Sequence, residues 1–182
     1  VVAVRRDVDI LVNAAGVYEE AAVIDHPDQI WEDQIDINLS GTFRMIRAVM
    51  PHMKRAGWGR IINIASVAAH NGMANNAAYC ASKAGLLGLG RCVSLEGAAN
   101  GVTCVSISPT WVETEMLRRF IDVDINATGQ TLEQVRAEYA KSNPQNQLVQ
   151  PVEVAELAAF LASDAARALT MADYQINAGS LW

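Results

Sequence analysis

The sequence is short of several groups on which common functions depend. Cysteine occurs only at Cys80, Cys92 and Cys104. An odd number of thiols without metal-like spacing argues against a disulfide framework or a zinc module, and reads as buried, reduced side chains in a reducing cytoplasm. The three histidines, His26, His52 and His70, lack the partner spacing of a histidine–nucleophile system; His70 suits a substrate-facing position and a plain loop position equally. No cluster of candidate ligands suggests a metal. Positive charge is also lacking: a net charge of −6 leaves no electrostatic footprint for nucleic acid or an anionic membrane surface. No apolar run approaches the ~20 residues needed to cross a bilayer, and the opening VVAVRRDVDILV lacks the ordered zones of a signal peptide. Internal repeats, low-complexity tracts and linkers are absent as well.

What is present describes an ordered globular chain. Hydrophobic residues make up 51% and charged residues 19% of 182 positions, enough to bury one domain core. Its chemistry gathers between Ser66 and Gly90. Tyr79 and Lys83 stand four apart, one helical turn, so both project from the same face. Ser66 lies thirteen residues before Tyr79, just after the apolar run Ile61-Ile62-Asn63-Ile64. A serine at a strand end can polarise a carbonyl oxygen, and a tyrosine can deliver or remove a proton. A nearby ammonium stabilises the phenolate, drawing a pKa of about 10 toward the working pH.

Ser66 followed by Tyr79-x-x-x-Lys83, with Asn38 upstream, resembles the catalytic segment of the short-chain dehydrogenase/reductase family. The resemblance extends along the chain. Val8–Val12 reads as a strand closed by Asn13-Ala14-Ala15-Gly16, similar to the family's Asn-Asn-Ala-Gly beside the cofactor, with Ala14 where a second Asn is common. Asp25-His26-Pro27-Asp28 carries helix-start chemistry. The helix expected after it carries Phe43, Ile46, Met50 and Met53 as one apolar stripe and ends at Gly57-Trp58-Gly59. Within it, Asp36-Ile37-Asn38-Leu39-Ser40-Gly41 suggests a local kink able to hold water. Arg60–Ile64 is the next strand and delivers Ser66 at its carboxyl end, where ligands sit in open parallel sheets. Gly85-Leu-Leu-Gly88-Leu-Gly90 looks like a phosphate loop but falls inside the Tyr79 helix, where small residues serve close packing.

Gly101 stops that helix, and Val102–Ile107 is a third strand. Pro109, Val112 and Thr114 match the family's nicotinamide-lining segment, although Thr110 replaces its Gly and Ser108 its frequent Asn. Trp111 fits a substrate-facing wall or a core position equally. Residues 115–150 are too long for a simple connection and are expected to form small helices in a mobile substrate lid. A helix opens at Gln150-Pro151-Val152-Glu153, and Tyr174–Asn177 is a last short strand.

Alternating strands and helices imply an α/β fold, a Rossmann-type doubly wound parallel sheet of about four strands. The match covers residues 1–182 as one domain that corresponds to the second half of the family fold. The glycine-rich turn for the pyrophosphate is not among these residues, since a βαβ unit of ~30 residues has no room before Val8. VVAVRRD reads as the tail of a helix cut in mid-element, so Val1 is not expected to be the natural start. Without a neighbour, the first strand would present an unpaired edge.

The resemblance implies an NAD(P)-dependent oxidoreductase interconverting a secondary alcohol and a ketone. Asn38, Ser66, Tyr79 and Lys83 would be its catalytic residues: Tyr79 the acid or base, Lys83 its pKa-lowering neighbour, Ser66 the holder of the substrate oxygen, Asn38 the anchor of a water relay. Asn13, Ala15, Gly16, Tyr79, Lys83, Pro109, Val112 and Thr114 would contact NAD or NADP. It further implies a homo-oligomer, tetramer or dimer, packed through the Tyr79 helix, and a small-molecule substrate that the sequence does not name. The alternative is a catalytically silent fragment or assembly module without the dinucleotide-binding half.

Overall fold

The computed structural model describes residues 7–180; the expected helix tail over VVAVRRD lies, except for Asp7, outside them. Four strands form one parallel sheet in the order β1 (Ile10–Asn13), β2 (Gly59–Ile64), β3 (Val102–Pro109), β4 (Asp173–Ile176). Leu11 pairs with Ile61, Ile61 with Cys104 and Ile107 with Tyr174. Parallel neighbours require crossovers, and helices supply them: α1 (Asp28–Ile35) and α2 (Gly41–Ala56) between β1 and β2, and α3 (Ala77–Gly97) between β2 and β3. Then α4 (Glu115–Thr128), α5 (Leu132–Lys141) and α6 (Pro151–Leu161) lead from β3 to β4. The fold is the expected α/β, Rossmann-type arrangement.

The two-residue period of the strands sorts the core into two layers. Leu11, Ile61, Val102 and Cys104 face α2 and α3, packing on Ile46, Val49, Met50, Met53 and Val93. Ile62, Val105 and Ile107 point the other way, onto Leu161 of α6 and Ala166. β2 and β3 are buried along nearly their whole length, as parallel strands covered on both faces are, with Asn63, Ser106 and Ser108 among the buried polar residues. β1 pairs with β2 alone, so it is an edge strand among the described residues, and Ile10 and Val12 on its α6-side face are exposed. The expected stripe on α2 needs one correction. Ile46, Met50 and Met53 are buried, but Phe43 is 45% exposed. Val49 fills the inner face instead, and Phe43 sits on the rim of the stripe under the Arg47 guanidinium, 5.3 Å from its centroid.

Between α1 and α2 the chain makes a π-helical turn over Asp36–Ser40, where Gly41 N–H reaches back five residues to the Asp36 carbonyl. This is the irregularity expected from the Asn, Ser and Gly, and it buries Asn38 completely. On α3 the glycines serve packing. A Cβ on Gly85 would lie 2.7 Å from Leu39 of that turn, and one on Gly90 would touch Ser106 of β3 at 3.7 Å. The helix ends at Gly97, and a 3₁₀ turn carries the chain to Gly101. Gly101 has φ +69°, and a Cβ there would lie 2.3 Å from the Gly57 carbonyl oxygen, so no other residue fits. The 115–150 region holds α4 and α5, with a small core of its own from Leu117, Ile121, Val135 and Leu148.

Candidate functional site

A cleft of about 780 Å³ opens where β2 and β3 end and their side chains give way to loops. Such strand ends are where open α/β sheets bind ligands. β2 delivers Ile64, Ala65 and Ser66 to it, α3 delivers Tyr79 and Lys83, and the end of β3 delivers Pro109 through Val112. Ser66 caps a 3₁₀ turn over Val67–Ala69, its Oγ accepting the Ala68 N–H at 3.1 Å. That leaves the hydroxyl proton to donate to Tyr79.

Tyr79 sits in the first turn of α3 and Lys83 one turn on. The Lys83 Nζ donates to the Ile64 carbonyl at 2.9 Å and lies 5.6 Å from the Tyr79 ring centroid. Burial pushes its pKa down to about 8. Tyr79 is displaced in the opposite sense from the sequence expectation. Its burial raises the phenol pKa, a hydrogen bond with Ser66 lowers it, and the neighbouring Cys80 raises it slightly, so the group stands above its ordinary value. The lysine approaches the ring rather than pairing with the oxygen, so desolvation dominates.

Asn38 does not line the cleft; it braces the loop that does. Its Oδ1 accepts the Val17 N–H at 2.8 Å, while its Nδ2 donates to the Val17 carbonyl at 2.9 Å and to Ser82 Oγ at 3.0 Å. Its backbone carbonyl accepts the Thr42 hydroxyl at 3.1 Å. The Asn38 side chain and backbone carbonyl, the polar groups of the kink expected to hold water, are therefore bonded to protein, although a carbonyl keeps a second lone pair. At Gly16 the elements converge: a Cβ there would stand 3.5 Å from both Asn38 Oδ1 and Lys83 Nζ.

The remaining expected residues divide. Gly16, Pro109, Val112 and Thr114 line the cleft. Asn13 instead turns into the sheet, its Nδ2 donating to Asn63 Oδ1 at 2.8 Å, and Ala14 rather than Ala15 joins Gly16 at the cleft. His70 leaves the site to pair with Asp173 at 2.7 Å, and that carboxylate also accepts the Ser108 hydroxyl.

Sequence reasoning missed the aromatic wall. Tyr18 stacks edge-on against Tyr79 at 4.8 Å and against Phe120 at 4.7 Å; Trp111 meets Phe120 at 6.1 Å and Tyr139 at 4.9 Å. Five rings thus run unbroken from Tyr79 to α5, in the edge-to-face geometry that ring quadrupoles favour. The open question about Trp111 resolves as both: it lines the cleft and packs on the Leu117–Val135 core. Tyr18, two residues past Gly16, carried no signal beyond that position.

The family model described as enoyl-(acyl carrier protein) reductase matches residues 1–180. The chain is 38% identical over 172 residues to a D-beta-hydroxybutyrate dehydrogenase of Cupriavidus necator, covering 94% of this chain and 67% of that protein. It is 40% identical over 172 residues to a D-threitol dehydrogenase of Mycolicibacterium smegmatis, covering 94% and 62%. It is 37% identical over 173 residues to a 3-oxoacyl-(acyl-carrier-protein) reductase of Salmonella typhimurium, covering 95% and 66%. The chain thus spans roughly two thirds of the length of these relatives. With the parallel sheet, the cleft at its strand ends and these similarities together, the chain belongs to the short-chain dehydrogenase/reductase family, oxidoreductases acting on CH–OH groups.

Proposed function

We propose that the whole protein interconverts a secondary alcohol and a ketone with NAD or NADP, and that Ser66, Tyr79 and Lys83 carry the proton chemistry. The observation behind this reading is the meeting of Ser66, Tyr79 and Lys83 at one cleft on the strand ends. Ser66, whose oxygen accepts from Ala68, donates to the Tyr79 oxygen, and a substrate oxygen entering between the two would take over that donor. Tyr79, with its pKa raised by burial, stays protonated at neutral pH and is set to donate to that oxygen as a carbonyl is reduced. Lys83 lies beneath it, and its depressed pKa lets it exchange a proton near neutrality. Asn38 acts as a positioning residue, fixing Val17 and with it the Gly16 turn.

The lining suits the nicotinamide end of the cofactor. Ile64, Pro109 and Val112 form an apolar slot for a flat ring, Thr114 offers a hydroxyl, and Lys83 offers donors to a ribose. NAD(P), when bound, supplies or accepts the hydride. The segment 115–150 serves as a substrate lid, with α4 over the cleft through Met116 and Phe120. The relatives' names span a hydroxy acid, a sugar alcohol and a carrier-bound thioester, so they point to no single substrate. The test is spectrophotometric. Purified natural protein, mixed with NADH or NADPH and a panel of ketones, should consume the 340 nm absorbance with matching ketone loss; no consumption with any ketone by either cofactor would overturn the reading.

A further inference from the structure

Resting on that oxidoreductase reading, we infer that the substrate is an uncharged ketone or secondary alcohol with a bulky apolar arm, selected by Tyr18, Trp111 and Phe120. The cleft beyond Ser66 and Tyr79 is walled by Val67, Ala68, Met73 and Met116, and by those three rings. Among the described residues that line the cleft, Lys83 alone is basic; its Nζ, under the Tyr79 ring, gives one bond to the Ile64 carbonyl and has its other donors on the ribose side in that oxidoreductase reading. A carboxylate on the substrate arm would therefore leave water without a cation or a fork of donors to receive it, which is strongly unfavourable.

The polar groups near the arm are already engaged. The Tyr18 hydroxyl donates to the Glu20 carboxylate at 2.6 Å, and that negative charge repels an anion further. In the far corner Thr110 and Ser180 both donate to Asn143 Oδ1, at 2.9 and 2.8 Å, while Asn143 Nδ2 donates to the Gln147 carbonyl. Glu115, the acidic residue among the lining side chains, stands at the cleft with its side chain 70% exposed. What the wall does offer is ring faces and edges, Met side chains and β-branched carbons, the partners of a hydrocarbon or aryl group. Tyr18 has the central place, because it touches both Tyr79, beside the reacting oxygen, and Phe120, beside the arm.

The experiment compares benzylacetone with acetoacetate, a neutral and an anionic methyl ketone, in the natural protein with reduced cofactor. kcat/KM for benzylacetone should exceed that for acetoacetate by at least about 100-fold. Phe120→Ala should lower the benzylacetone value roughly tenfold, chiefly through KM, and the acetoacetate value by clearly less. Equal or better turnover of acetoacetate, or no change on Phe120→Ala, overturns the inference. Saturation-transfer NMR without cofactor keeps it separable from the oxidoreductase reading. Benzylacetone binding that Phe120→Ala abolishes, with no turnover, supports the apolar cleft and overturns the hydride chemistry. Absence of benzylacetone binding at millimolar concentration overturns the inference itself.

Discussion

Ser66, Tyr79 and Lys83 stand on the end of β2 and on α3, over a sheet whose Ile61, Ile62 and Ile107 are fully buried. Trp111 and Phe120, across the same cleft, stand on the end of β3 and on α4, whose support is a separate cluster of Leu117, Ile121, Val135 and Leu148. The first side is fixed by directional bonds between elements distant in sequence: Asn38 to Val17 and Ser82, Lys83 to Ile64, Asn13 to Asn63. The second is fixed by ring edges and by an exposed bridge, Arg136 to Glu113, with Gln150 on the same carboxylate. Directional bonds hold atoms to a fraction of an ångström, which proton transfer needs. Ring contacts tolerate sliding, which would suit the proposed substrate wall.

The contrast breaks most sharply at Tyr79. Tyr79→Phe removes one hydroxyl and keeps the edge contact with Tyr18, so the melting temperature should hold within a few degrees. kcat should fall by about 10²–10⁴, the span of acid–base groups; steady-state assays beside circular dichroism melts read both. Retention of more than about a tenth of kcat would remove the proton-transfer role from this side.

Lys83 tests the electrostatic part. Its folded pKa, about 8, lies below the ordinary 10.5, so between those values the unfolded chain holds more protons and the lysine's contribution to stability rises with pH. Urea titrations of wild type and Lys83→Met from pH 8 to 10 should show the wild type gaining roughly 2 kcal/mol on the variant. Tyr79 and Cys104, whose raised pKa values act in the opposite direction at high pH, are common to both proteins and cancel. Parallel curves would mean that Lys83 is better hydrated than its burial implies.

The smallest effect belongs to the wall. Arg136, then Gln150, hold the Glu113 carboxyl down at about 2. A depressed carboxyl pKa contributes stability that is present above the unfolded value and lost as acid protonates it. The pair is largely solvent-facing, so Glu113→Gln should cost less than about 1 kcal/mol at neutral pH. Hydrogen exchange should quicken in α5 and stay unchanged in β2. Equal quickening in both would show that the two sides are one cooperative unit after all.

The same division explains what could be read in advance. Ser66, Tyr79 and Lys83 come from one strand–loop–helix run, where local spacing fixes geometry, and the first three strands announced themselves by runs rich in apolar, β-branched residues between turns. The irregular turn at Asp36–Ser40 was also legible, from Asn, Ser and Gly set among helix formers. Tyr18 and Phe120 were not, because residues more than a hundred positions apart meet only once the sheet brings their loops together. Phe43 misled through periodicity, which places a residue near a stripe without saying whether it falls on the centre or the rim. The direction of the Tyr79 shift needed the structure too, since burial and charge oppose each other and spacing reveals neither.

The π turn between α1 and α2 makes this stretch respond differently to changes of length and changes of identity. It holds one residue more than a regular turn, closed by the Gly41 to Asp36 bond. Deleting a single residue within 36–40 would let α1 and α2 run on as one ordinary helix, with its ladder of hydrogen bonds complete. The side chains before the deletion would then be rotated by about 100° relative to those after it. Asn38 could no longer face Val17 while the Ile46–Met53 stripe faced the sheet. A lineage that lost that residue would keep a folded protein of normal hydropathy and an intact Tyr79-x-x-x-Lys83, and lose the brace under Gly16. Gap placement at these five positions thus carries information about the site that residue identity alone does not.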